Sequence, residues 1–96
     1  MNSLYPQGRD LIMLSNLILY RSLTQTQKAS AALDRIGIEN RIIRAPKAVA
    51  GEGCSHCVRL AQRDLFRALE YLTQRGLLPS RVYVTAGDGN FEEVPI

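Results

Sequence analysis

Apolar residues recur along the chain with two different periods, and the two periods alternate. Residues 17–20 form a continuous apolar run, which is typical of a buried strand. Residues 41–44 are two isoleucines flanked by arginines, and residues 58–61 are a short apolar stretch interrupted by Arg59. Residues 81–85 alternate most clearly between the two sides of a strand. These stretches predict four strands, and Pro46 ends the second because proline cannot donate to a sheet ladder.

Two further segments repeat apolar residues at helical spacing. In the first, a glutamine stands three residues after Ser22 and three after Thr24, so either residue can cap the helix. The second helix is expected to begin at about Gln62. Gly37 and Gly76 follow the two segments at the position of a C-terminal capping glycine. The apolar stripes comprise Ala29, Ala32, Leu33 and Ile36 in the first helix, and Leu65, Ala68, Leu69 and Leu72 in the second.

The order of these elements predicts an α+β fold. Strand, helix, strand, strand, helix, strand is the order of a ferredoxin-like βαββαβ sandwich. Such a sandwich has a four-stranded antiparallel sheet, with two helices on one face and the first and third strands in the middle. In this register Val82 and Val84 face the helices, whereas Tyr83 faces the open side of the sheet.

The chain is expected to hold one domain, since 96 residues suit a single core. We assign residues 1–14 to an N-terminal tail and residues 15–87 to the domain. Residues 88–96 follow a glycine-rich turn and form either a C-terminal tail or a short hairpin strand. No apolar run approaches the length that spans a membrane.

Charge and cysteine content indicate the compartment of the protein and the state of its thiols. The net charge is +3, and six of the twelve basic residues lie between positions 41 and 67, where Glu52 and Asp64 are the acidic residues. Two cysteines three positions apart do not make the disulfide framework of a small secreted domain. Residues 11–14 are too short for the apolar core of a secretory signal. We therefore expect a cytoplasmic protein with reduced thiols.

One loop contains both cysteines and the single histidine of the chain. Cys54, His56 and Cys57 stand within four consecutive positions, after the second predicted strand. A thiol is a nucleophile only when ionised, and cations or backbone amides near the sulfur favour the thiolate. Cys54 and Cys57 are therefore the candidate catalytic residues. We expect Cys54 to be the more reactive thiol, with a pKa below the roughly 8.5 of an ordinary cysteine, and Cys57 to be more shielded. The supporting residues are Gly53, His56, Arg44, Lys47 and Arg59.

From residue 17 to residue 85 the chain resembles the small bacterial Se/S carrier protein-like family. The likeness lies in the opening strand, the helix that ends in Gly37-Ile38, the extended run that ends at Pro46, and Gly53-Cys54 before a strand that contains Arg59. Ala68-Leu69 in the second helix also fits. The chain departs from the family after the first cysteine, where it has Ser55 and His56 in place of a glycine and an apolar residue, and then the second cysteine.

The resemblance implies a function for the loop. Cys54 matches the cysteine that carries sulfur or selenium in this family, as a persulfide or a selenide. The protein would then be a non-enzymatic carrier without a cofactor. Its partners would be sulfur or selenium donor and acceptor proteins, which the sequence does not name.

Metal binding is an alternative function of the same loop. Cys54, His56 and Cys57 could supply three soft or borderline ligands to zinc or copper. A structural zinc site needs four ligands, so the fourth would come from a second copy. Ferredoxin-like metallochaperones place such a pair between the first strand and the first helix, whereas here it lies between the second and third strands.

Two binding functions use the open face of the sheet. Tyr20, Arg59 and Tyr83 could share that face in an RNA-binding domain. RNA-recognition domains, however, place stacking aromatic residues on the third strand, which here has none, so nucleic acid is not the expected partner. The other binding function is self-association, in which a homodimer covers the open face.

Overall fold

The computed structural model describes residues 15–50, 55–85 and 90–95. In this part of the chain, five strands form one antiparallel sheet with the order β2-β3-β1-β4-β5. The strands are β1 (Ser15–Leu19), β2 (Asn40–Arg44), β3 (His56–Ala61), β4 (Arg81–Thr85) and β5 (Phe91–Val94), and the helices are α1 (Leu23–Arg35) and α2 (Leu65–Gln74). The α+β class and the antiparallel pairing of β2 with β3 are confirmed.

The predicted number of four strands is wrong, because β5 adds a fifth to the outer edge of β4. Its two apolar residues explain why the pattern was weak. Phe91 packs with the residues of the open face, whereas Val94 packs with the core under the helices. With one apolar residue on each face, the four residues of β5 have no alternation of period two. Of the two forms expected for the C-terminal stretch, the structure has the hairpin strand.

Both helices pack on one face of the sheet, and their apolar stripes form the main core. The fully buried members include Leu33 of α1 and Leu72 of α2, which meet Ile18, Val58 and Val82 of the strands. Leu69 and Ile36, at the edges of the two stripes, are only partly buried. Val84 packs against this core and Tyr83 packs on the opposite face, so the register predicted for β4 is confirmed.

Tyr20 lies on the helical face, so the prediction that it shares the open face with Arg59 and Tyr83 is wrong. It has the parity of Ile18 and belongs to the core under the helices. Its hydroxyl donates a hydrogen bond to the carbonyl of Leu77. Burial raises the pKa of this phenol, because the phenolate would lose its solvation. Tyr20 therefore serves as a core residue.

The helix ends follow the capping pattern of the sequence. The hydroxyl of Ser22 accepts a hydrogen bond of 3.1 Å from the amide of Gln25, which identifies Ser22, rather than Thr24, as the N-cap. Gly37 and Gly76 both have positive φ, of 77° and 74°. The residue after each glycine donates from its amide to a carbonyl five positions back, as in a Schellman motif. Residues Gln62–Asp64 form a 3₁₀ turn that leads into α2.

Removing the cap of α1 is expected to destabilise the domain. Ser22→Ala should lower the free energy of unfolding by about 1 kcal/mol, because the amide of Gln25 loses its acceptor. The matched control is Thr24→Ala, since Thr24 is exposed inside the same helical turn and alanine is a better helix former. Urea denaturation of both variants checks the prediction. Equal midpoints for the two would show that the Ser22 hydroxyl does not stabilise the helix.

Candidate functional site

The loop between β2 and β3 is described in two parts, residues 45–50 and residue 55. Gly53 and Cys54, together with residues 51 and 52, lie outside the described residues. The predictions for Cys54 and Gly53 therefore stay predictions. The described residues on either side give the setting of the loop, at the end of the sheet where β2 ends and β3 begins.

Cys57 is a core residue on the face of the sheet opposite the helices. It lies across from Leu19 of β1 and Ile43 of β2, and its exposed fraction is 0%. It belongs to a second apolar cluster that also contains Ala45 and Val49. A thiol buried among apolar side chains is a poor nucleophile, because the thiolate is not solvated there. The lower reactivity predicted for Cys57 is consistent with this position.

A short turn packs against the buried cysteine. The carbonyl of Pro46 accepts hydrogen bonds from the amides of Val49, at 3.0 Å, and Ala50, at 2.9 Å, so the chain folds back directly after β2. This turn brings Val49 to the Cys57 cluster, where Val49 is 3% exposed. Ala45 and Val49 were not predicted to belong to the site. A single valine between alanines in residues 48–50 gives no periodic signal.

His56 lies on the other face of β3 from Cys57. It is partly exposed, lies opposite Arg44 of β2 and shares its face with Val58 and Leu60. Its Nδ1 lies 2.9 Å from the hydroxyl of Ser55. The carbonyl of Ser55 accepts a hydrogen bond of 3.0 Å from the amide of Ala45, which extends the β2–β3 pairing by one step into the loop. The backbone at Ser55, where the described part of the loop resumes, is therefore hydrogen-bonded to the sheet.

The three basic residues predicted to support the thiol have different positions. Arg44 is exposed and lies beside His56. Lys47 is exposed in the turn that packs near Cys57. Arg59 is partly buried, two residues after Cys57 on the same face of β3, which is about 7 Å along the strand. Arg44 and Lys47 are thus at the end of the sheet that carries the cysteine loop, and Arg59 lies further along β3.

The described residues do not bring a metal-binding group together. Among residues 15–50, 55–85 and 90–95, no three His, Cys, Asp or Glu side chains could hold one ion. His56 and Cys57 are neighbours in one strand, so their side chains point to opposite faces of the sheet. One zinc ion needs its sulfur and nitrogen ligands at about 2.0–2.3 Å, which these two residues cannot both reach from opposite faces. Cys54, the third proposed ligand, lies outside the described residues.

A comparison with protein families identifies the kind of domain. The model of the family described as "Putative Se/S carrier protein-like" matches residues 15–84, which is more than half of the chain. The chain belongs to this family. The match begins at the first residue of β1 and ends one residue before the end of β4, so it covers the two helices and four of the described strands. No curated protein and no solved structure matches the chain. Within the described residues, neither helix is long and apolar enough to cross a membrane.

Proposed function

We propose that this member of the Se/S carrier-like family carries sulfur or selenium on Cys54. The observation that carries the proposal is the family match, whose range includes Cys54 and the whole β2–β3 loop. The burial of Cys57 supports the choice of Cys54, since a carrier sulfur must be reached by two different partner proteins. No enzymatic reaction is required of the domain, and the proposal includes no cofactor.

The transfer is a thiol exchange in which no external oxidant takes part. The Cys54 thiolate attacks the outer sulfur of a donor persulfide, R–S–SH. A new S–S bond forms on Cys54, the S–S bond of the donor breaks, and its electron pair leaves with the donor as the thiolate R–S⁻. With a donor R–S–SeH the same step leaves selenium on Cys54. The sequence does not distinguish the two elements.

The surroundings of the loop support an anionic sulfur. Arg44 and Lys47 are exposed at this end of the sheet, and neither makes an ion pair with another described residue. Their positive charges favour a thiolate or a persulfide anion on a neighbouring residue. Gly53 removes a side chain beside Cys54, so backbone amides can approach the sulfur. His56, anchored beside Ser55, adds a polar group that can exchange a proton.

The wider assignments belong to the same proposal. We assign a ferredoxin-like arrangement to the sheet and helices, because β2-β3-β1-β4 is the strand order expected for a βαββαβ sandwich. We place the protein in the cytoplasm, where a reducing environment keeps a carrier thiol available. Its partners are sulfur or selenium donors and acceptors. A homodimer through the open face is a further proposal, which light scattering after size-exclusion chromatography tests.

Intact-protein mass spectrometry tests the carrier function. The full chain is incubated with a cysteine desulfurase and cysteine, and its mass is measured without reducing agent. We expect the wild-type protein to gain the mass of one sulfur atom, and Cys54→Ser to gain none. Cys57→Ser is the matched control and should gain the same sulfur, because it removes the buried thiol and keeps the proposed acceptor.

The same variants separate the carrier from the metal site. A sulfur adduct that persists in Cys54→Ser and is lost in Cys57→Ser would contradict the proposal. So would the absence of any adduct on the wild-type protein. Zinc retained through gel filtration by the wild-type protein, and lost in each single cysteine variant, would favour the metal-binding alternative. A donor of the form R–S–SeH in place of the desulfurase, measured in the same way, determines which element is accepted.

A further inference from the structure

A pocket lies at the opposite end of β3 from the cysteine loop. It forms where β2 begins, β3 ends and the 3₁₀ turn leads into α2. Three arginines line it, namely Arg41, Arg59 and Arg63, together with the carboxylates of Glu39 and Asp64. The lining residues thus carry three positive and two negative formal charges, a net charge of +1.

Two of these arginines lie side by side on adjacent strands of the sheet. Arg41 of β2 and Arg59 of β3 are direct partners in the register. Side chains in such a pair have Cβ atoms about 5 Å apart, and like charges placed there destabilise the sheet. Neither guanidinium group makes a hydrogen bond or an ion pair with another described residue. The structure therefore keeps two adjacent positive charges that form no ion pair with a described carboxylate.

Neither acidic residue of the pocket forms an ion pair with Arg41 or Arg59. Asp64 Oδ2 lies 3.9 Å from Nε of Arg63, and the Asp64 side chain is 18% exposed. Glu39 is exposed and makes no ion pair with a described residue. A guanidinium group presents a planar set of N–H donors that matches the oxygens of an anion, often in pairs. Two such groups side by side can enclose a tetrahedral anion from two directions.

We propose that the Arg41–Arg59 pair binds a phosphate-type oxyanion. The ligand is either inorganic phosphate or the phosphate group of a small phosphoester, since both present the same oxygens to the arginines. This site does not depend on the carrier function. Arg59 does lie on the same face of the sheet as Cys57, about 7 Å along the strand, so a bound anion would lie on the cysteine's side of the sheet.

The test is an amide NMR titration of the full chain with inorganic phosphate, at constant ionic strength maintained with chloride. We expect saturable shifts at the amides of Arg41 and Arg59, with a dissociation constant on the order of millimolar. Arg41→Gln and Arg59→Gln should each weaken phosphate binding about ten-fold, because one of the two guanidinium groups is lost. Glu39→Gln should strengthen it about three-fold, since it removes an opposing charge at an exposed position.

Two controls separate a site from general attraction to a basic protein. Arg35→Gln removes an exposed arginine outside the pocket and should bind phosphate as the wild type does. Cys54→Ser should also bind phosphate as the wild type does. Phosphate binding is therefore tested independently of the carrier function. Chemical shift changes that do not saturate with phosphate would overturn the proposal. So would an equal loss of phosphate affinity in Arg35→Gln and Arg41→Gln.

A second set of ligands distinguishes the two sources of the phosphate group. Phenyl phosphate that binds more tightly than inorganic phosphate identifies a phosphoester ligand, and equal or weaker binding identifies the inorganic anion. Acetate that binds as tightly as phosphate overturns the assignment to a tetrahedral oxyanion.

Because Arg41→Gln relieves like-charge repulsion, its melting temperature without phosphate should equal or exceed that of the wild type. Phosphate should then raise the melting temperature of the wild type more than that of Arg41→Gln. A variant that melts lower without phosphate, or a wild type that phosphate does not stabilise, contradicts the proposal.

Discussion

Leu33→Ala is expected to lower the free energy of unfolding by about 2–5 kcal/mol, the largest loss of stability that we predict for a single substitution. Leu33 is 0% exposed in the core between α1 and the sheet. Its carbonyl also accepts a hydrogen bond from the amide of Ile38 at the C-terminal cap of the helix, so the backbone at Leu33 is held in place by the cap. A small domain has about 5–15 kcal/mol of total stability, and this loss is a large part of it.

Urea denaturation followed by circular dichroism measures this loss. Leu72→Ala, at an equally buried position on α2, should lose a similar amount, whereas Leu69→Ala should lose less because Leu69 is only partly buried. Leu78→Ala is the matched control, since that leucine is 62% exposed and its substitution should change stability little. If Leu33→Ala and Leu78→Ala have equal midpoints, the helical face has been misassigned.

Cys54 is expected to be alkylated at least about ten times faster than Cys57 in the folded protein. Cys57 is 0% exposed in the apolar cluster that also contains Val49, so a reagent reaches it only after the structure opens locally. Each 1.4 kcal/mol of opening free energy slows the reaction about ten-fold. Cys54 has the exposed cations Arg44 and Lys47 near it in sequence, and these favour the thiolate that reacts.

Iodoacetamide labelling of Cys54→Ser and Cys57→Ser, followed by mass spectrometry at several pH values, measures the two rates separately. In urea the two thiols should react at similar rates, which is the control that burial causes the difference. Val49→Ala should speed the labelling of Cys57 in the folded protein, because it opens the cover over the sulfur. Faster labelling of Cys57 than of Cys54 in native buffer would contradict both the assignment of the acceptor and the role of Val49.

The repeating elements were predictable because their signals are local. The alternation in residues 81–85 set which side chains of β4 face the helices, and the glycine after each apolar stripe set the end of each helix. Strand β1 was predicted from residue 17, whereas it begins at Ser15. The reason is Asn16, which is polar and yet 0% exposed, so hydropathy gave no sign that it belongs to a strand.

The surroundings of the site were less predictable because they depend on contacts distant in sequence. The sequence placed both cysteines in one loop, whereas the structure shows Cys57 inside strand β3 and in an apolar cluster. The pairing of Arg41 with Arg59 needs the register of β2 against β3, which joins residues 18 positions apart. The face predicted for Tyr20 was wrong, because a continuous apolar run does not indicate which of its residues point to which face of the sheet.

The short outer strand β5 has a consequence for solubility. Without it, β4 would be the edge of the sheet, and β4 is rich in valine and tyrosine, the kind of strand on which a second chain can add in an aggregate. Strand β5 is four residues long, and its exposed centre is Glu92-Glu93. A short edge with adjacent like charges repels another copy of itself. The acidic strand β5 thus protects this edge of the sheet from the addition of another strand.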